Sequence, residues 1–511
     1  MPKYLFYIAV FMILNVNIAC SPTDRDAYAT DESINLTHEH NNPGNRQERF
    51  IYGIMLGPND APYRDRWERY YRICNDLNVG YLKIAVFWDH IEPEPGVRNW
   101  KGQWPNRVRP GAGSVGARGG ISTRDMKDRS FSATKVFDFD FHAKLAQQYD
   151  VSVFPRFMGP RGRELVSDSQ GFAKFVYDFI ARYNESMNIQ YVEFQNEPNA
   201  HNDGSGGGRH WKGTAAQLAA MNTAAYEKVK AEYPDIQIGT AGFMTGSRQM
   251  FANYTSKFLQ AYFKAQPKFD VFMLHDYPMH LSYTQGTHPG DFGSEYHIFQ
   301  NYRNLLQNYG YGQTPILVSE GYEIKPMRTS AGSSMKWSRD NQLSRLIQEG
   351  FLITKTQASA YNVIGKVMSE INRGRGQTPG LIDTSTNKKT KLYYEIKHLI
   401  KNLRAYPHFV KRVSGKLNST DYWTLEFESK DFESLWISFI PVLYQTNNEI
   451  LTAINDIKSY QQQTVQLNVG DRSQVTVEYV GEDNSVVSKQ HKVPDSGIVS
   501  FDITKNVVFV Y

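Results

Sequence analysis

From Ile51 onward, short apolar runs alternate with longer stretches whose apolar residues recur every three or four positions. The runs Tyr52–Leu56, Tyr81–Phe87, Val151–Phe157, Ile189–Phe194, Ile236–Gly242, Phe269–His275, Pro315–Ser319 and Ala358–Met368 read as strands. The stretches near Tyr63–Leu77, Phe139–Gln148, Ser169–Asn184, Ala215–Glu232, Tyr254–Ala265, Glu295–Asn308, Ser338–Thr354 and Lys391–Leu403 read as helices. Eight strand–helix pairs predict an α/β fold, a (β/α)8 TIM barrel over residues 50–405, whose usual length of about 250 is extended by loops. A doubly wound open sheet is the alternative, but no Gly-rich phosphate turn follows the first strand. After about Tyr406 the period changes to two. Trp423, Leu425 and Phe427 alternate with polar residues, as do Val465, Leu467 and Val469, and then Val475, Val477 and Tyr479. Turn residues separate these runs, which predicts a small all-β sandwich domain over 406–511.

The first 49 residues follow neither pattern. Lys3 precedes an apolar run, Tyr4–Leu14, which suits a secretory signal and is shorter than the roughly 20 residues of a spanning helix. Cys20 stands where a lipoprotein signal peptidase would leave an acylated first residue, although Asn17 replaces the usual Leu three positions earlier. Residues 1–20 are therefore expected to be a signal peptide of lipoprotein type, with lipidation at Cys20 and attachment to an outer membrane leaflet. Ordinary secretion is the alternative. Residues 21–49 are polar, without apolar period, and read as a tether. An exported, cell-surface or periplasmic lipoprotein is the expected destination. The second cysteine, Cys74, falls in a helical pattern and reads as a small buried residue.

Composition narrows the class. The 511 residues are 41% hydrophobic with a net charge of +5, an ordinary globular balance that excludes wholesale disorder and a coiled coil. Two cysteines exclude a disulfide scaffold and a Cys-rich zinc site. Aromatic residues, at 14%, are frequent enough to suit sugar-binding surfaces and β-rich domains alike.

In a barrel of this type the functional side chains collect at the C-terminal ends of the strands. The fourth predicted strand runs into Gln195-Asn196-Glu197-Pro198, and the seventh into Ser319-Glu320-Gly321-Tyr322. Two carboxylates so placed would face each other across the mouth, the pair needed to break a glycosidic bond. Asn-Glu-Pro also marks simple turns, and Glu323 rivals Glu320 locally.

Asn196-Glu197-Pro198 after a fourth strand, with a glutamate ending the seventh, resembles the retaining glycoside hydrolases of clan A. So do the segment from Phe87 to Gly96, the His275-Asp276-Tyr277 ending of the sixth strand, and Gly380-Leu381-Ile382-Asp383 followed by Lys391–Lys397. The resemblance covers roughly residues 50–405. With the β-sandwich beyond, the arrangement is similar to family 39 and to the agarase and porphyranase family 86. It implies Glu197 as general acid/base, Glu320 as nucleophile, Asn196 as a partner of the sugar 2-hydroxyl, Tyr277 as the residue orienting Glu320, and His275 on the same floor. No cofactor and no catalytic metal are implied. Read from residue type alone, His275 serves equally as a core histidine. Glu92 and Glu94 suit a loop-fixing role, and Glu370, near the end of the eighth strand, is a subsite candidate.

The segment from Arg98 to Arg129 carries eight basic residues against two acidic ones, a net +6 that exceeds the charge of the whole chain. Arg156, Arg161 and Arg163 add to the same rim. Arginine matches carboxylate and sulfate geometry, so an anionic polysaccharide, a sulfated galactan or a uronic-acid polymer, is expected as substrate. Trp88, Trp100 and Trp104 are candidates to stack on sugar faces. A solvated loop whose charge only aids solubility is the alternative. Three other functions compete: a non-catalytic carbohydrate-binding lipoprotein, a hydrolase of a neutral glycan such as xylan, and a metal-dependent barrel hydrolase using His275, His280 and His288. A nucleic-acid partner is not expected, since no binding motif accompanies the basic loop.

Overall fold

The computed structural model describes residues 50–511, apart from 58–59, 93–95, 106–130, 160–166, 209, 246–250, 277–294, 322–339, 369–379, 384–385, 387, 415–421, 441–461 and 505. Cys20, Tyr277, Glu370, His280, His288, Arg161, Arg163 and most of the basic loop lie outside the described residues.

Eight parallel strands close into a barrel: β1 (Ile51–Met55), β2 (Tyr81–Phe87), β5 (Ser152–Met158), β6 (Tyr191–Asn196), β7 (Gln237–Met244), β8 (Phe272–Asp276), β9 (Ile316–Gly321) and β10 (Val363–Met368). Chain order and spatial order coincide, so each strand pairs with its successor and β10 pairs with β1. Helices α1 (Arg64–Asp76), α3 (Phe139–Tyr149), α4 (Ser169–Met187), α5 (Ala215–Lys230), α6 (Ser256–Lys264), α7 (Glu295–Asn308), α8 (Asp340–Tyr361) and α9 (Lys391–Ala405) return the chain between strands or follow the last one. Their starts carry local signals. Asp138 accepts from Phe141 N, Asp168 from Gly171 N, and Thr214 with Gln217 forms a capping box. Their ends share one device: Asn78, Asp150, Asn188, Gln266 and Asn362 each have φ near +50° and turn a finished helix toward the next strand.

Asn362 also corrects the last strand. Ala358–Tyr361 continues α8, because Ala, Ser and Tyr follow a helix whose inward face is still being packed, and the strand begins only at Val363. Between β2 and α3 the chain forms a short helix, α2 (Trp88–Ile91), and an unexpected hairpin of β3 (Lys101–Pro105) and β4 (Phe131–Asp138), which joins the two ends of the basic segment.

The barrel interior is layered. Alternation points Ile51, Met55, Phe154, Val271, Met273, Leu317 and Val367 inward as an apolar plug, separate from the larger core beneath the helices. Tyr81 and Tyr191 pack against this plug. By the same period of two, Lys83, Arg156, Glu193 and His275 form the next layer toward the mouth.

The C-terminal region contains a six-stranded antiparallel sheet in the order β11-β12-β13-β18-β15-β16, comprising His408–Ser414, Trp423–Glu428, Ser434–Phe439, Val508–Val510, Gln474–Val480 and Val486–Lys492. A second, two-stranded sheet pairs β14 (Gln463–Asn468) with β17 (Ile498–Ile503). Trp436, Val465, Leu467, Val475, Val477 and Phe501 fill the space between them. Trp423, Leu425, Phe427, Ile437 and Phe509 belong instead to the barrel's core. Both tryptophans are thus interior packing residues.

His398 on α9 lies at this junction, edge-on to Phe509 with ring centroids 4.6 Å apart. Burial pushes its pKa down to about 4, opposed by Glu478 at 3.7 Å. The unfolded chain regains an ordinary histidine near 6.5, so it binds the extra proton and the fold loses stability as pH falls from about 6.5 toward 4, by about 3 kcal/mol in all. Denaturant titrations at pH 7 and pH 4.5 should show this slope, and His398→Leu should flatten it.

Candidate active site

Two irregularities at the barrel mouth place the key side chains. On β6, Gln195 has φ 50° and Glu197 φ 46°, and the pairing with β7 shifts between Phe194 and Asn196. The bulge reverses the alternation. Gln195 turns to the helix side, among Gly159, Phe172, Trp211 and Met221, while Asn196 faces the barrel mouth, its Oδ1 taking a hydrogen bond from Arg156. Glu197 N donates to Gly242 O at 2.9 Å, which fixes the turn. On β9 the ladder with β8 runs Leu274↔Val318 and then His275↔Glu320, so Ser319 is the extra residue and Glu320 enters the mouth.

The structure therefore brings Glu197 and Glu320 together. One carboxylate oxygen of each, with one nitrogen of His275, lies within a 4.8 Å span. The Glu197 side chain keeps 17% of its surface exposed and that of Glu320 9%, which leaves both reachable from the mouth. Glu320 Oε2 receives Arg156 at 2.5 Å, with His275 Nε2 at 3.6 Å and Lys83 Nζ at 3.8 Å. The Arg156 hydrogen bond fixes the rotation of this carboxylate, and Arg156 with Lys83 favours its ionised form electrostatically. Arg156 also donates to Asn196 Oδ1 at 2.5 Å, so the Asn196 amide nitrogen is the group turned to a ligand. Glu197 has an imidazole on each side: His275 Nδ1 at 3.5 Å from Oε1, and His210 Nε2 at 3.9 Å from Oε2.

Beneath this pair lies a layer without solvent. Lys83 Nζ contacts Glu193 Oε1 at 2.7 Å, donates to Ser319 O at 2.8 Å, and lies 3.4 Å from His275 Nε2. Glu193 and His275 are fully buried and 3.3 Å apart. Burial alone would neutralise each group, and it is the largest influence on all three. For Glu193 it is outweighed by Lys83 and His275, which hold the carboxylate well below its ordinary range. For His275 it is outweighed by Glu320 and Glu193, which raise the imidazole above its usual value. Lys83 is lowered by burial, and Glu193 and Glu320 oppose the loss of its proton.

Two of the expected sugar contacts make close contacts within the protein. Trp88 is 6% exposed and packs against Phe172 and Phe175, with its indole N–H given to Glu92, so its faces are occupied by protein. Arg156 is not a rim residue: strand alternation turns it inward onto Asn196 and Glu320. In the basic segment, Arg98 pairs with Glu92 and with Asp178 at 3.3 Å. Glu92 fixes its loop by accepting also from Gly96 N. Trp100 is half-buried, edge-on to Phe179 and Tyr183.

Lys83, Glu193 and His210 are absent from the sequence reading. The first two left a signal, a lone charge inside each of two apolar strands (YLKIAVF and YVEFQN), since a buried strand charge requires a partner. His210 left none, standing in a glycine-rich loop. A cation could find Glu197, His275 and Glu320 grouped among the described residues, but it would sit against Lys83 and Arg156, so the charge pattern suits carboxylate chemistry better.

No family model matches the chain, and no curated protein matches it. Solved structures do. A family 39 glycoside hydrolase from the gut symbiont Bacteroides cellulosilyticus, 12% identical, covers 91% of this chain and 81% of its own length with a TM-score of 0.56. A glucosidase from Croceicoccus marinus, also 12% identical, covers 91% of this chain and 95% of its own with a TM-score of 0.55. This chain shares the (β/α)8-barrel fold of these two enzymes. The likeness read from Asn196-Glu197-Pro198 and its companions thus extends to the architecture of family 39, and no comparison bears specifically on family 86.

Proposed function

We propose that this protein is a retaining glycoside hydrolase that cleaves β-linked polysaccharide by double displacement. The observation that carries the reading is the separation of two carboxyls from strands four and seven, whose nearest oxygens lie within 4.8 Å. Retention requires carboxyls about 5–5.5 Å apart, whereas inversion needs about 6.5–9.5 Å to admit a water. Glu320, held ionised by Arg156, attacks the anomeric carbon while Glu197 gives its proton to the departing oxygen. Water then attacks the glycosyl ester, Glu197 takes its proton, and Glu320 is released as carboxylate. Asn196 donates to the sugar hydroxyl next to the reacting carbon.

The substrate we infer is an anionic glycan, sulfated or uronic-acid-bearing. Support comes from the +6 charge of the segment Arg98–Arg129, which follows the C-terminal end of β2 along the chain. Trp88 and Arg156 lend this part no support, being committed within the protein. The N-terminal apolar run and Cys20 support export, with anchoring through an acylated cysteine. The testing experiment is a screen of neutral, sulfated and uronic-acid polysaccharides, with products followed by proton NMR from the first seconds. The β-anomer should appear first and then equilibrate. An initial α-anomer would replace retention with inversion, and turnover of neutral glycans alone would remove the anionic substrate.

A further inference from the structure

We propose that Lys83 and Glu193, an ion pair sealed inside the barrel beneath Glu197 and Glu320, are positioning residues that govern the protonation of His275, the imidazole bridging the two carboxyls. The consequence for turnover rests on the glycosidase reading; the titration itself does not. A buried ion pair is seldom more stable than well-packed apolar residues of the same volume. The layer below, Met55, Phe154, Met273, Leu317 and Val367, shows that this barrel can be filled that way. Lys83 and Glu193 replace such packing at the level where His275 sits.

The geometry gives them a task. His275 Nδ1 faces Glu197 Oε1 at 3.5 Å, and Nε2 faces Glu320 Oε2 at 3.6 Å, so a ring carrying both protons can donate toward either carboxyl. In double displacement the negative charge begins on Glu320, vanishes there when the ester forms, and emerges on Glu197 as its proton leaves. A cation between the two serves both steps. Glu193, 3.3 Å from Nε2, acts with Glu320 to let a solvent-free imidazole keep its second proton, and Lys83, 3.4 Å from the same atom, opposes it. Among the described residues the other charged neighbours are Arg156, on Glu320, and His210, on Glu197; from β7, Gly242 faces the ring. Asp276 turns to the opposite side of β8, toward Tyr302.

The test uses the full chain with isotopically labelled histidine, the His275 ring signals being assigned through His275→Gln and titrated by NMR. Glu193→Gln should lower the His275 midpoint and Lys83→Met should raise it, each by about one pH unit or more, as for charges within 4–6 Å. Should Lys83→Met fail to fold, the double variant Lys83→Met/Glu193→Gln, which buries no unpaired charge, should titrate above Glu193→Gln. The pH profile of kcat/KM on 4-nitrophenyl β-glycosides should shift with these midpoints. A purely structural pair would move both variants the same way or neither, and that result overturns the proposal. Opposite shifts in a protein that hydrolyses no glycoside would leave the network standing and remove the glycosidase reading. Turnover without opposite shifts would do the reverse.

Discussion

Glu197→Gln should lower kcat on a polysaccharide by about 10²- to 10⁴-fold, the usual worth of a positioned general acid. The substitution is isosteric, and its one amide oxygen can face either His275 or His210, neither of which is nearer than 3.5 Å to Glu197, so the unfolding midpoint should move little. The loss should depend on the leaving group. A dinitrophenyl glycoside needs no protonated oxygen to depart, so its first step should remain fast and release should stall at the glycosyl ester. Azide should then restore turnover and yield a glycosyl azide of retained configuration. Glu320→Gly should behave oppositely: no ester forms, and any azide product should carry inverted configuration. Unchanged polysaccharide turnover by Glu197→Gln would remove that residue from the mechanism.

Gly242→Ala should be the most damaging single methyl in the barrel mouth. A Cβ there would stand 2.0 Å from His275 Nε2, with two further ring atoms at 2.6 and 2.7 Å. His275 is 0% exposed and hemmed in by Lys83, Glu193, Glu197 and Glu320, so the ring has nowhere to withdraw. Overpacking of this kind costs about 1–3 kcal/mol. The main chain of Gly242 also accepts the Glu197 amide, so relief through the backbone would move the acid itself. A displacement of about 1 Å at reacting groups costs on the order of 10²-fold in rate. Denaturant unfolding and kcat should therefore fall together. Gly242→Ala/His275→Ala should recover stability relative to Gly242→Ala without recovering activity. If the double variant is the less stable one, the close approach is not the cause.

What the sequence makes legible follows from the range of the interactions involved. The strand and helix runs follow from apolar period, a local property, and the barrel from their number and order. The strand boundary furthest displaced, that of Ala358–Met368, lies in residues that suit helix and strand alike, and Asn362 in the left-handed region settles it. Trp88 read as a sugar platform because nothing local tells an aromatic on a mouth loop from one folded back on α4; Phe172 and Phe175 lie more than 80 residues away.

The sequence by itself determined the eightfold order, the following sandwich, and the residue types at the ends of strands four and seven, because hydrophobic periodicity and the length of each unit are carried by near neighbours along the chain. Only the tertiary structure decided which of those residues face one another. Bulges at Gln195 and Ser319 reverse the alternation of their strands, and a one-residue shift sends a side chain to the other face. Closure of the ring then sets Lys83 against Glu193, Arg156 against Glu320, and His275 between the two carboxyls. Those pairings span from 45 to 164 positions of chain, and charges recognise one another through space and low dielectric rather than through sequence.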